Sequence, residues 1–483
     1  MSSTTIKAPP TGPALVRGLG LVAAAAIVVG VVIGTGVFLK ARVMTCNVGS
    51  PGLVLLAWIV AGALSLAGAL TYGELCARMP HAGGEYVFIR EAYGRFWGYM
   101  FGWMRVFIGS TGACAALAAG FGIFVNVLAG GALDRSGISV GSWYLSGVQL
   151  AGIGAIAVVT AINSAAVAVG GRIVSALTAF KIVLVAGVGL AAFAYGRGDW
   201  AHFAQSGTAG ACEGVATAAR GGIAGFGAAM MAALWAYNGW NEMTYVAGEV
   251  RNPQRNLPRA LIGGIGLVAL LYVFVNSAYF YALPPAQIAS VSVSSAVATE
   301  VMAQMIGPAA LTLMTAAAAA SIFGALLTAS LVGARVPYAM AKDGLFFAAL
   351  APLSPRTSVP VRALVAQSGW TVALVLSGSF DALTDYAMFA ILIFWGMATG
   401  SVFVIRRRMR DTGAHYRTWG YPVVPALFLV VTAWIVLNTL VTAPRQALAG
   451  LGLIALGVPF YFYWSSGTSH QRREELRRRA DVK

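Results

Sequence analysis

Apolar stretches long enough to cross a bilayer follow one another along nearly the whole chain, separated by shorter polar or charged segments. A hydrocarbon core about 30 Å thick takes roughly 20 apolar residues in a helix. By that measure the pattern predicts twelve helical spans, over residues 19–39, 53–76, 97–127, 142–163, 173–195, 225–248, 259–282, 299–334, 362–379, 383–405, 421–440 and 446–465. Gly, Pro or charge bounds most of them. The longest polar interruptions are 197–222 and 335–361. No stretch is left for a soluble domain of useful size, and the fold class predicted is an all-α integral membrane protein.

Composition sharpens that reading. The 483 residues are 59% hydrophobic and 10% charged, against about 25% charged in ordinary soluble domains. The net charge of +16 would suggest nucleic acid in a soluble protein. Here the basic residues sit between the spans. With the N-terminus placed inside, 24 Lys and Arg fall on inner segments and 6 on outer ones, while Arg105 and Lys181 lie within spans. Such a bias orients membrane proteins. It predicts an inner (plasma) membrane protein with cytoplasmic tails at 1–18 and 466–483, the basic second tail meeting anionic lipid. The partners expected are therefore the lipid bilayer and no nucleic acid. The first 17 residues run into the first span without a cleavable signal.

Enzyme chemistry finds no foothold. His81, His202, His415 and His470 are scattered, and there is no P-loop or G-x-S-x-G elbow. Cys46, Cys76, Cys114 and Cys212 have no metal-like spacing. No cofactor and no metal is expected. Cys46 and Cys212 both fall in external segments, where a disulfide is permitted but not dictated. Filter loops or pore-lining rings of a channel are not evident either.

Two spans carry interruptions. The first reads Ile33-Gly34-Thr35-Gly36-Val37 deep within apolar sequence. Glycine costs about 1 kcal/mol relative to Ala inside a helix, so two of them around a Thr favour unwinding. Helix packing of the small-residue kind is the alternative for this segment alone. The sixth span reads Trp235-Ala236-Tyr237-Asn238-Gly239-Trp240-Asn241-Glu242 and is broken at the corresponding place, five spans later. Interrupted helices in matching positions of two halves point to a transporter site. Spans 1–5 and 6–10 would then be inverted repeats. Unwound backbone must line a cavity, since lipid cannot satisfy its N–H and C=O groups.

The exposed peptide groups suit a zwitterion. N–H groups of Thr35, Gly36 and Val37, at the start of a half-helix, are the expected carboxylate donors. Carbonyls of Ile33, Trp235 and Ala236 are the expected ammonium acceptors. Gly34 permits close approach. Trp235, Tyr237 and Asn238 would line the pocket, with Trp235 as a gate. Lys181 lies about 13 Å into the fifth span, too deep to snorkel easily. It reads as a structural tether, as a proton carrier, or as a residue near a helix edge drawn in the wrong place. Glu242 either pairs with an Arg at an inner gate or faces water in a cytoplasmic vestibule, the second being the favoured expectation. Glu249 is expected to cluster with Arg251 and Arg255.

The run Trp235 to Asn241, then Tyr245-Val246 and Glu249-Val250-Arg251-Asn252-Pro253-Gln254-Arg255-Asn256-Leu257-Pro258, resembles the sixth-helix signature of L-type amino-acid transporters. These form a branch of the amino acid–polyamine–organocation superfamily. Ile33 to Phe38 is similar to that family's first-helix glycine motif, Arg335 to Gly344 to the segment after its eighth helix, and Arg417 to Pro425 to the entry of its eleventh. The resemblance implies a bacterial member with a LeuT-like five-plus-five fold. Residues 19–195 would be the first repeat, 196–224 an external loop, 225–405 the second repeat and 421–465 two added helices. It implies sodium-independent movement of neutral L-amino acids, often by exchange. Proton symport, exchange of cationic amino acids or polyamines, and amino-acid sensing stay open. Lys181, within Leu177-Thr178-Ala179-Phe180-Lys181, matches the family's fifth-helix lysine, which stands in for a sodium ion. Animal members join a glycoprotein subunit through a cysteine between helices 3 and 4. Segment 128–141 has none, so no disulfide-linked heavy subunit is expected.

Overall fold

The computed structural model describes residues 17–465 except 141–142, 166, 196–197, 294, 378–379 and 410–415. The tails expected at 1–18 and 466–483 lie outside the described residues, save for 17 and 18. The chain is helical almost throughout. The long elements are α1 (Leu21–Val32), α2 (Gly36–Val48), α3 (Pro51–Arg78), α4 (Glu85–Tyr93), α5 (Arg95–Leu128), α6 (Gly147–Ala165) and α7 (Val167–Ala194). They continue as α8 (Gly222–Tyr237), α9 (Pro253–Ala282), α10 (Pro308–Gly333), α11 (Arg335–Lys342), α12 (Val361–Ser377), α13 (Phe380–Arg408), α14 (Val423–Thr442) and α15 (Ala447–Ser465).

Among the described residues, nine helices are long and apolar enough to cross a membrane, or ten with the bent pair α1 and α2 counted as one span. Two further apolar helices are shorter, α8 with 16 residues and α12 with 17. Local chemistry sets the boundaries. Pro51 occupies the first turn of α3, where its missing N–H costs nothing, and the Ser50 hydroxyl accepts from Leu53 N. The stretch expected as one span over 299–334 is two helices, Val297–Ile306 and α10, parted at Gly307-Pro308. The Pro ring cannot continue a helix and starts the next one instead. A small antiparallel hairpin, Gly137–Val140 against Trp143–Ser146 with Gly137 opposite Ser146, takes up the end of the expected link between spans 3 and 4 and the first residues of the span expected from 142, whose helix starts at Gly147.

The interior is a continuous apolar cluster with Trp58, Trp240, Trp395 and Tyr72 fully buried in it. The outer surface is apolar too, with Val183, Leu270, Leu437 and Val441 exposed. That inversion is what a hydrocarbon solvent permits. α9 packs along α3 and α1, α8 along α2, and α10 along α5. The two broken segments therefore sit at the centre, walled by α3, α5, α7, α9 and α10.

On one face, Cys46 at the end of α2 is bonded to Cys212 in the 200–221 loop, 166 residues away in sequence. The pairing that the sequence left open is made. Backbone and side-chain bonds reinforce it: Asn47 Nδ2 donates to Ala219 O at 2.6 Å, Arg42 Nη1 to Glu213 O at 2.7 Å and Gly207 N to Gly49 O at 2.8 Å. The intact protein is expected to weigh two hydrogens less without reductant than after reduction, and Cys46→Ser to show no such difference. Equal masses for the wild type would remove the bond. Its loss is expected to cost about 2–4 kcal/mol of stability.

Candidate functional site

Both sequence interruptions are breaks in the structure. α1 ends at Val32, Ile33 turns to ψ 87°, and α2 resumes at Gly36 with a bend of 43° between the two. The first N–H to turn back into α2 is that of Phe38, to Thr35 O at 3.1 Å. The N–H groups of Gly36 and Val37 therefore precede the helical ladder, at its positive end. α8 stops at Tyr237. Asn238 is extended, Gly239 has φ +101°, and the chain continues as a tight 3-10 stretch, Trp240–Glu249. Positive φ at 239 is readily reached by glycine and strained for other residues.

The breaks interlock. A Cβ on Gly36 would lie 2.5 Å from the Cα and Cβ of Ala236. A Cβ on Gly239 would overlap Val31 Cγ1. Each break thus has a glycine pressed against the other. Around the contact lies a cavity of about 30 Å³, its wall including Gly34, Thr35, Gly36, Trp235, Asn238 and Glu242. A vestibule of about 200 Å³ opens beside it towards the disulfide face, with Lys40, Arg42, Asn47 and Thr439 in its lining. Trp235 belongs to both walls.

The bared carbonyls find partners within the protein. Lys181 Nζ, on a residue 1% exposed, donates to Gly30 O at 2.6 Å and Ile33 O at 2.9 Å. One helical turn earlier, Thr178 Oγ1 donates to Ala26 O at 2.9 Å. α7 thereby grips the end of α1. The Tyr272 hydroxyl of α9 lies 2.9 Å from Val32 O and 3.0 Å from Ala236 O, bridging both breaks. Trp235 O accepts from Asn238 N at 3.1 Å. Of the three expected ammonium acceptors, Ile33 and Trp235 already accept a bond, and Ala236 shares the single Tyr272 hydrogen with Val32. Each carbonyl has two lone pairs, which leaves room for one more donor. Tyr237 turns away from the cavity and donates to Trp58 O at 3.2 Å.

Beneath the breaks, away from the disulfide, the interior is sealed by buried charge. Glu242 is 2% exposed and accepts from Arg105 Nη2 at 2.6 Å. This corrects the vestibule expectation: the pairing alternative is the one realised, and Arg105 comes from a π-turn, Arg105–Gly109, inside α5. The guanidinium also lies 5.1 Å from the Tyr245 ring centre. Glu85 of α4, fully buried, accepts from Tyr72 OH at 2.6 Å, Tyr245 OH at 2.5 Å and Asn241 Nδ2 at 2.5 Å. Burial pushes its carboxyl above the usual range, against the pull of Arg105 and these donors. Glu249 pairs with Arg335 at 3.0 Å, not with Arg251 and Arg255 as expected. Further out, Asp343 takes Arg90 and the Tyr86 hydroxyl, the latter at 2.7 Å.

Sequence reasoning missed Tyr272, Glu85 and the role of Arg105. An arginine within a span demanded an acid partner, and Glu242 was available. Nothing local announced Tyr272. Gly36→Ala is expected to lower stability by about 1–3 kcal/mol, because Ala236 cannot yield without moving α8. Gly263→Ala, which meets nothing within 4 Å, is the control and is expected to be neutral or stabilising. Thermal unfolding in detergent measures both, and equal midpoints would contradict the interlock.

Comparison with known proteins gives the site a context. Residues 19–458 match the model of the amino acid permease family. The serine/threonine exchanger SteT of Bacillus subtilis is 30% identical over 454 residues, covering 93% of this chain and 97% of that protein. The human b(0,+)-type amino acid transporter 1 is 28% identical over 458 residues, covering 94% and 89%. The mouse Asc-type amino acid transporter 1 is 28% identical over 471 residues, covering 94% and 82%. A chain matched over nearly its whole length, with two interrupted helices meeting at its centre, belongs to the amino acid permease family.

Proposed function

We propose that this permease exchanges neutral L-amino acids across a bacterial inner membrane by alternating access, without sodium. The observation that carries the reading is the meeting of two bared backbone segments at Gly36 and Ala236, beside a cavity. Thr35, Gly36 and Val37 offer N–H groups to the substrate carboxylate. The second lone pairs of Ile33, Trp235 and Ala236 carbonyls take the ammonium. Trp235 closes the cavity against the vestibule. Lys181 holds α1 where a sodium ion would otherwise be needed, which supports sodium independence. SteT is named an exchanger, which supports exchange over uniport.

The architecture proposed is twelve spans in a five-plus-five inverted repeat, 19–195 and 225–405, with two added helices over 421–465. The ten long spans together with α8 and α12 support that count. The 24-to-6 bias of basic residues supports cytoplasmic tails and an external disulfide face. The absence of Cys from 128–141 supports a transporter that works without a disulfide-linked heavy subunit.

Purified protein in proteoliposomes tests this. Labelled neutral amino acid is expected to enter only vesicles preloaded with unlabelled amino acid, at the same rate with or without sodium. Uptake into empty vesicles driven by an imposed proton gradient would replace exchange with symport. Binding with no flux in either case would leave a sensor. Lys181→Ala is expected to bring exchange to background while the protein remains monodisperse in detergent. Unchanged exchange in that variant would remove Lys181 from the cycle.

A further inference from the structure

Away from the two breaks, a cavity of about 300 Å³ opens to the outside of the helix bundle. Its walls come from three places: Val106 and Phe107 of the π-turn in α5, Phe346, Phe347 and Leu350 in the stretch after α11, and Trp370 on α12. Phe347 and Trp370 are exposed. Two polar groups in the wall are already engaged. Gln367 Nε2 donates to Ser330 O at 3.3 Å, and Trp370 Nε1 donates to Phe107 O at 3.0 Å. A ligand entering the hollow meets aliphatic and aromatic carbon on nearly every side.

Charge lies just beyond it. Arg362 is exposed in the first turn of α12, one turn before Ala366 and two before Trp370, both of which line the hollow. The three share a helix face, and side chains lean towards the helix start, so Arg362 points to the surface at the end of the groove. Lys342 and Arg356 are exposed in the same stretch, 342–362. Its single acid, Asp343, is taken by Arg90 and the Tyr86 hydroxyl.

We propose that this hollow holds one acyl chain of an anionic phospholipid, with its phosphate at Arg362, and that the bound lipid braces the turn carrying Arg105. The apolar wall gives water too few partners to fill the space, and a void there forfeits dispersion contacts. Residues 466–483 are polar and basic, so that tail supplies neither the hydrocarbon nor the countercharge. Basic residues at the edge of a membrane helix attract anionic headgroups. The Phe107 ring centre stands 6.2 Å from that of Phe346 and 5.5 Å from that of Trp370. Arg105 opens the same five-residue turn. A chain in the hollow therefore supports Val106 and Phe107 from outside, while Glu242 holds Arg105 from within.

Gly369 supplies the test. It lines the hollow, and a Cβ there meets nothing within 4 Å. Gly369→Phe fills the space with a side chain and leaves the breaks untouched. In detergent, phosphatidylglycerol is expected to raise the unfolding midpoint of the wild type by at least about 2 °C. Phosphatidylcholine with the same chains is expected to give less than half of that shift. Gly369→Phe is expected to lose the difference and, in native mass spectrometry, to retain one phosphatidylglycerol fewer than the wild type. Arg362→Gln is expected to respond alike to both lipids. It alters an exposed side chain and decides the matter even where the phenylalanine variant fails to fold. Hydrogen exchange at residues 105–112 is expected to slow when phosphatidylglycerol is added to the wild type. Equal shifts from the two lipids in the wild type, an undiminished preference in either variant, or unaltered exchange at 105–112 would overturn the proposal. So would a dimer that Gly369→Phe dissociates, since the hollow would then belong to a second copy. Every readout is made without transport, so the outcome is separate from that of the exchange assay.

Discussion

Everything at the centre of this protein follows from one constraint: peptide groups released from a helix inside hydrocarbon must be satisfied by the protein. Lys181 and Tyr272 meet it for the carbonyls of the two breaks. Their placement explains the order of the surrounding helices. α7 must lie against α1 to deliver the lysine, and α9 must lie against both breaks to deliver the phenol. The N–H groups at the start of α2 are treated differently. They are left pointing ahead of their helix, and that asymmetry gives the site its polarity.

The two breaks were legible in the sequence because their cause is local. Gly34-Thr35-Gly36 and Asn238-Gly239 disfavour helix wherever they occur, and their positions in the chain betray a matching pair. The depth of Lys181 was legible for the same reason, since it is counted along one helix. What failed was pairing across the fold. Glu242 was expected to face water, and the partner it has, Arg105, lies 137 residues earlier. Glu249 was assigned to the arginines beside it in sequence, yet Arg335 reaches it from α11. The 299–334 stretch reads as one apolar run, and only the backbone at Gly307-Pro308 shows that it is two helices.

The distribution of buried charge separates the two faces of the molecule. Towards the disulfide face, the cavity gives way to a vestibule that reaches the surface. Towards the other face, Glu242–Arg105, the Glu85 cluster, Glu249–Arg335 and Asp343 with Arg90 succeed one another. Buried ion pairs add little net stability against apolar residues of the same shape, but breaking one leaves an uncompensated charge. Removing one partner from any of them is therefore more disruptive than replacing both.

The bond between Cys46 and Cys212 acts on this arrangement from the opposite end. It fastens the tip of α2 to the loop that leads directly into α8. On this face, α2 and the segment entering α8 are therefore tied covalently, and neither can part from the other by more than the slack of that one link.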